Sequence, residues 1–572
     1  MNPSRRQLIG ALLATSALAA GTPGRASKRK PPNIVLIVLD DTGYSDFGCF
    51  GSEIKTPNID ALAADGQRFN HFESKAICTA TRAALLTGRN NHSLGLADLP
   101  SGKFQPPGTG KDAGDLAPNV QLLPEALRAR GYATLAIGKW HLATEFQDGG
   151  PGNNASWPRQ RGFDYYYGFV SGWADQLRPD LVENNAKIGK PSAPDYHFSV
   201  DITDRAIAKL AESKAAAPDK PRFLYLAYGA THAPIQVPKP YIDAYAGQYE
   251  KGWDAIRADR FARQKAMAIV PPGTVLPPPN AGDDAWAPLD PVKKRVYARF
   301  MEAYAGFLTH TDEQIGRLIA ALKASGDYEN TLFVLLSDNG ASAEHGQTGS
   351  IGQLYPPVHL DAAELATHMQ DIGTAQIGMQ RPWGMASNTP FRRYKSWPNA
   401  GGVRTPLIVA WPGYLPNKGA IRRQRIDAVD IAPTLVELAG ARFDAVVDGK
   451  AMIPVAGASF RTALFSASAP DPRPVQFFEL RGNRAVRAGK WRAVAIHKLG
   501  TPFEQDHWAL FDTDADFAEA EDLSGRNPNK VSELKAIWQR GARPKRAPPR
   551  CEGAGDVPQG GPVSGAVGGG FE

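Results

Sequence analysis

Asn33-Ile34-Val35-Leu36-Ile37-Val38-Leu39-Asp40-Asp41 sets six consecutive aliphatic residues against a pair of aspartates. A run of this length without polar alternation is what a strand buried on both faces requires, and such strands belong to parallel sheets covered by helices. Comparable runs recur at residues 133–137, 223–228, 332–336 and 407–410, each bounded by polar or turn residues. Between and after them, apolar residues spaced by three and four predict helices over 120–130, 201–213, 296–325 and 431–439. The alternation predicts an α/β domain.

In an open parallel sheet, ligands bind beyond the carboxyl ends of the strands. The residues there are chemically active. The first strand runs into Asp40 and Asp41, the second is followed by Lys139 and His141, the third leads to His232, and the fourth to Asp338 and Asn339. Taken singly, each is explained by capping or solvation. Together, three carboxylates on one rim repel one another unless a counter-ion is present, and carboxylate and amide oxygens suit a hard cation such as calcium.

The rest of the chain bounds the function. With 572 residues, 42% hydrophobic and 22% charged, it can bury one large core and a smaller one. Residues 1–31 read as an export signal and linker. Ser4-Arg5-Arg6-Gln7-Leu8-Ile9 precedes a short apolar stretch and Ala17-Leu18-Ala19, the form of a twin-arginine leader, with a Sec signal or a membrane anchor as the alternatives, and predicts a periplasmic or extracellular protein. No apolar run is long enough for a stable membrane span. The net charge of +7 is dispersed and carries no nucleic-acid footprint. Of three cysteines, Cys49 and Cys551 are far apart, with Cys551 in a Gly- and Pro-rich tail, so a bridge between them is not favoured.

The stretch 238–291 is rich in Pro and Gly apart from a helical pattern at 253–267, and reads as an insertion over the sheet rim. From 451 the style changes to short strands at 475–480, 490–496 and 508–511 and a helix at 531–540. The predicted organisation is a catalytic domain at 32–450, a small α+β domain at 451–542, and a disordered tail at 543–572.

Cys78-Thr79-Ala80-Thr81-Arg82, followed by Leu86-Thr87-Gly88-Arg89, is the most specific string in the chain. A lone Cys is ordinarily a small buried apolar residue. Here the string resembles the type I sulfatase signature, Cys-x-(Pro or Ala)-x-Arg with Thr-Gly downstream, which directs conversion of the Cys to formylglycine. The resemblance extends over about 32–542 and includes Asp40-Asp41, Gly138-Lys139-Trp140-His141, Thr231-His232-Ala233-Pro234, Ser337-Asp338-Asn339-Gly340 and Pro390-Phe391-Arg392-Arg393-Tyr394-Lys395. Residues 247–256 look like the arylsulfatase branch.

The resemblance implies an alkaline-phosphatase-like fold, with a mixed, largely parallel sheet, and a sulfuric ester hydrolase. It implies that residue 78 becomes a hydrated aldehyde: one hydroxyl attacks sulfur, and the second drives release of sulfate. By similarity, Asp40, Asp41, Asp338 and Asn339 hold Ca2+, and Asp338 assists attack. Lys139, His232 and Lys395 bind the sulfate, with His232 helping to protonate the leaving oxygen. Arg82 and His141 orient the formylglycine, and His141 serves as base in the elimination.

A formylglycine-generating enzyme is the implied maturation partner, and a sulfate ester the implied substrate. Two departures stand out: Ala80 where Pro is commoner, and Asn399-Ala400 where the family often has an acidic residue or His before the glycines. The rivals are a phosphonate or phosphate ester hydrolase of the same superfamily and a non-catalytic cation-binding homologue. Trp173, Tyr166 and Trp253 could face an aryl group at the rim, but ordinary packing is the favoured reading of all three.

Overall fold

The computed structural model describes residues 30–100, 115–143, 154–355, 357–498 and 500–542. The leader, the tail and Cys551 lie outside the described residues. The main sheet has ten strands: β1 (Asn33–Leu39), β2 (Gly66–Phe69), β3 (Ala133–Lys139), β4 (Tyr165–Phe169), β5 (Leu181–Glu183), β6 (Ala186–Gly189), β7 (Arg222–Ala227), β8 (Thr331–Ser337), β9 (Leu407–Ala410) and β10 (Ala420–Arg422). Their spatial order is β10-β2-β9-β8-β1-β7-β3-β4-β5-β6.

The β1 run sits at the centre, parallel to β7 on one side and β8 on the other, with Val38 opposite Ala227 and Leu39 opposite Ser337. Its alternate side chains go to opposite faces. Ile34, Leu36 and Val38 enter one core, while Val35, Ile37 and Leu39 enter the other. Each such burial contributes about 1.5–3 kcal/mol, which explains why no polar residue interrupts the run.

β3 is parallel to β7 and β4, so the carboxyl ends of β8, β1, β7 and β3 open on the same rim. Strand β9 runs antiparallel to both β8 and β2. The sheet is therefore mixed but largely parallel where it carries the site. No helix among the described residues is long and apolar enough to cross a membrane.

Several predicted boundaries move. Strand β3 continues to Lys139, so this lysine ends the strand instead of following it. Strand β7 begins at Arg222 and ends at Ala227. The predicted helices settle at Leu123–Ala129, Phe198–Ala216, Pro291–Ala324 and Ala428–Leu438. The third starts earlier than the apolar periodicity because Asp290 caps the amides of Val292 and Lys293, with Pro291 at the first helical position.

The stretch expected to cover the rim touches the loops after the strands, as at Arg260 and Asp46, and also contributes to the core. Helix Gly252–Ala266 buries Trp253, which meets Trp286 and Trp383 edge-on at 4.7 and 5.5 Å. Tyr166 is also packed, with its hydroxyl toward Gly138 O. Of the three aromatic rim candidates, Trp173 alone is exposed.

Beyond these layers is a four-stranded antiparallel sheet of β11 (Val475–Leu480), β12 (Asn483–Ala488), β13 (Trp491–Ala495) and β14 (Trp508–Asp512), backed by the helix Pro528–Ala542. One face packs Phe478, Leu480, Ala485, Val494 and Phe511 against Ile77, Cys78 and Ala80. On the same side, buried Glu73 accepts hydrogen bonds from Arg487 Nε at 2.9 Å and Arg492 Nη1 at 2.5 Å. Burial opposes the charge of Glu73, but Arg492 and Arg487 outweigh it and hold the carboxyl below its ordinary range. Arg492 also donates to Pro398 O, and Glu519 accepts from Ala400 N. The small sheet thereby fixes the loop that carries Lys395.

Candidate active site

Cys78 is the first residue of the helix Cys78–Thr87, which is buried along its whole length and ends at Gly88 in the left-handed region. Its Sγ lies 3.1 Å from His141 Nδ1. His141 follows β3 with a φ of 56°, and its amide donates to Val170 O. A side chain at Gly172 would begin 2.8 Å from the His141 ring, so only glycine admits this packing. Asp41 is likewise left-handed, with a φ of 57°. Strained backbone at two such residues marks a place where position outranks comfort.

The charged residues form one buried network. Arg82 donates from Nε and Nη2 to Asp338 Oδ2, at 2.9 and 2.6 Å, and from Nη1 to the Tyr225 hydroxyl at 3.1 Å. Lys139 Nζ is 2.7 Å from Asp40 Oδ2. Lys395 Nζ is 3.0 Å from Asp41 Oδ2, 3.1 Å from His232 Nε2 and 3.0 Å from Glu344 Oε2. Asn339 Nδ2 donates to Asp41 Oδ1 at 2.6 Å.

All ten residues singled out in the sequence are thus drawn together, although Arg82 aims at Asp338 and not at Cys78. Glu344, Tyr225 and Tyr355 join them without having been foreseen. Glu344 lies in the loop five residues beyond Asn339, where a lone carboxylate carries no pattern. Tyr225 is hidden inside an apolar strand.

The electrostatics follow from burial and pairing. Burial pushes the Cys78 thiol up to about 11 against the pull of Lys139 and Lys395, so the unmodified side chain is a neutral thiol near pH 7. Burial also raises Asp41 and Asp338, with Asp40 adding to both. Burial opposes the ammonium of Lys139, but Asp40 outweighs it; for Lys395, Asp41 and Glu344 do the same, and both lysines are held above their ordinary range. His232 is pressed down to about 3 by burial and then by Lys395, and His141 falls well below its usual value by burial and Lys139. Both imidazoles are neutral at neutral pH. His232 Nδ1 lies 2.5 Å from the Ala233 carbonyl, which can only accept, so the proton is on Nδ1 and Nε2 accepts from Lys395.

The donor set fits a hard divalent cation. Ligand atoms of Asp40, Asp41 and His232, and those of Asp40, Cys78 and Asp338, lie within 4.8 Å of one another. Asp40 Oδ1 and Asn339 Oδ1 are buried with no hydrogen-bond partner. Two orphaned oxygens among crowded carboxylates are the condition a cation relieves.

Residues 32–441 match the family model described as Sulfatase, and residues 395–540 match the one described as N-sulphoglucosamine sulphohydrolase, C-terminal. An uncharacterized sulfatase of Schizosaccharomyces pombe is 30% identical over 543 residues, covering 90% of this chain and 94% of its own length. An arylsulfatase of Klebsiella aerogenes is 30% identical over 483 residues, covering 82% of this chain and 98% of its own. Among solved structures, Ps i-CgsB in complex with k-i-k-neocarrahexaose superposes with a TM-score of 0.61 at 24% identity, covering 91% of this chain and 94% of that one.

Proposed function

Because the chain belongs to the type I sulfatase family and is an enzyme that hydrolyses sulfate esters, we propose that it does so with a formylglycine made from Cys78 and a calcium ion held by Asp40, Asp41, Asp338 and Asn339. The observation that carries this is the placement of Cys78 Sγ against both His141 Nδ1 and the Asp40 and Asp338 oxygens. A neutral thiol there is a poor nucleophile, which accords with its conversion to another group. When present, formylglycine supplies paired hydroxyls for attack on sulfur and for sulfate release, and calcium supplies positive charge at the sulfate oxygens.

The remaining work falls to side chains already in place. Lys139 and Lys395 are the cations that hold the sulfate from two sides and stabilise charge as the ester bond weakens. Arg82 holds Asp338 in one orientation, leaving its other oxygen for the cation. His141, kept neutral, is the base beside residue 78. The proton for the leaving oxygen sits on Lys395 Nζ, with His232 Nε2 as its acceptor partner, so the two act as a pair. Export by the twin-arginine leader and modification by a formylglycine-generating enzyme complete the proposal.

The test is kcat/KM for nitrophenyl sulfate against a nitrophenyl phosphonate, with and without a calcium chelator, using protein coexpressed with a formylglycine-generating enzyme. A sulfate-to-phosphonate ratio well above one, lost on chelation and regained with calcium, is expected. A ratio well below one would transfer the same site to phosphoryl chemistry. Chelator-insensitive turnover would remove the calcium.

A further inference from the structure

Outward from Lys395, the site ends in a carboxylate. Side-chain exposure is 3% at Lys395, 6% at His232 and 24% at Glu344, making Glu344 the most exposed charged group of the network. Its Oε2 is taken by Lys395 at 3.0 Å, by the Ser342 hydroxyl at 3.3 Å and by the Tyr355 hydroxyl at 3.4 Å. Its Oε1 makes no hydrogen bond among the described residues, yet is not among their buried unpaired atoms, so it is reached by solvent.

Beside it is an aromatic ledge. The Tyr355 ring is 6.4 Å from His232, 5.7 Å from His345 and 5.4 Å from Trp173, and Tyr355 and Trp173 are 39% and 36% exposed. The ledge and the carboxylate both lie on the Lys395 and His232 side of the site. Exposed paired aromatics contribute a flat apolar surface. The carboxylate contributes a sign.

Resting on the sulfatase assignment, we propose that Glu344 selects substrates by charge: the enzyme takes sulfate esters whose carbon skeleton carries a cationic or hydrogen-bond-donating substituent near the ester oxygen, and disfavours those with a second anionic group there. The net charge of +7 would by itself favour polyanions at long range. At the mouth, the nearer charge dominates. Burial opposes the ionised form of Glu344, but the charge and hydrogen bond of Lys395 outweigh it, so the carboxylate is charged at neutral pH. Glu344 acts here as a specificity residue, and through its contact with Lys395 as a positioning residue.

The experiment compares kcat/KM for two phenyl sulfates differing only in a ring trimethylammonium or carboxylate, with nitrophenyl sulfate as the neutral reference, in the native enzyme, Glu344→Gln and Glu344→Lys. The native enzyme prefers the cationic ester. That cation-to-anion ratio falls on the order of tenfold in Glu344→Gln and further in Glu344→Lys, an effect of the size expected for one charge across a few ångströms of partly wet protein. Because Glu344 touches Lys395, both variants are expected to slow the neutral ester as well, and the ratio separates selection from that loss.

A second measurement needs no variant: raising salt shrinks the native preference, since the interaction spans solvent. A ratio unchanged in both variants, or a native enzyme indifferent to substituent charge while still hydrolysing nitrophenyl sulfate, overturns the charge filter alone. Failure of the native enzyme on all three sulfates would instead bring down the assignment on which it rests.

Discussion

Cys78→Ala is expected to lower kcat by on the order of 10⁴-fold or more, since removing the nucleophile of a unit that acts together costs nearly the whole of its contribution. The fold should survive. Residue 78 is buried in a small apolar cluster with Ile77, Ala80, Val403 and Phe478, so the change removes one small group from a packed site and leaves the ion pairs around it in place. That cavity costs about 1–2 kcal/mol, a cost that leaves the protein folded. Thermal melting should therefore stay close to that of the parent and retain its response to calcium. Unchanged turnover would remove residue 78 from the mechanism.

The second large effect is expected at Asp338. Its Oδ2 accepts twice from Arg82 and its Oδ1 faces the Asp41 amide at 3.4 Å. Asp338→Asn keeps the shape but removes the charge, leaving buried Arg82 with Asp40 Oδ1 at 3.9 Å as its remaining carboxylate partner among the described residues. The new amide hydrogens would point at the guanidinium or at the cation, and either is repelled. We expect kcat/KM to fall by roughly 10²–10³-fold and the calcium concentration for half-activity to rise by about 10–100-fold. A calcium titration of activity measures both. Wild-type calcium dependence with reduced kcat would assign Asp338 to proton transfer and take it out of the metal site.

The sequence was most legible where one physical demand dominates. β1 could be read because a strand covered on both faces tolerates no polar residue, and its neighbours were readable for the same reason. The site was legible because those strands stop at one rim and each hands over a charged residue within a few positions. Lys139 was placed one element too late, since its aliphatic stem lets it close β3 while its ammonium reaches Asp40.

β12 escaped because its Arg484 and Arg487 read as a polar surface, whereas Arg487 is fully buried against Glu73, a partner 414 residues away. Trp253 sits in a Pro- and Gly-rich neighbourhood that looks peripheral, yet ordinary packing was its favoured reading, and the fold shows it closing on Trp286 and Trp383. Glu344 had no local pattern at all. Its significance comes from Lys395, Ser342 and Tyr355, which meet it only after folding.

Turnover depends on residue 78 acting as an aldehyde. The most direct measurement is mass spectrometry of the peptide containing it, across preparations made with graded amounts of formylglycine-generating enzyme, each paired with its kcat for nitrophenyl sulfate. Activity is expected to rise in proportion to the fraction of chains in which the thiol has been replaced by an aldehyde, and to vanish when that fraction is zero. Full activity in a preparation whose residue 78 is entirely cysteine would contradict it.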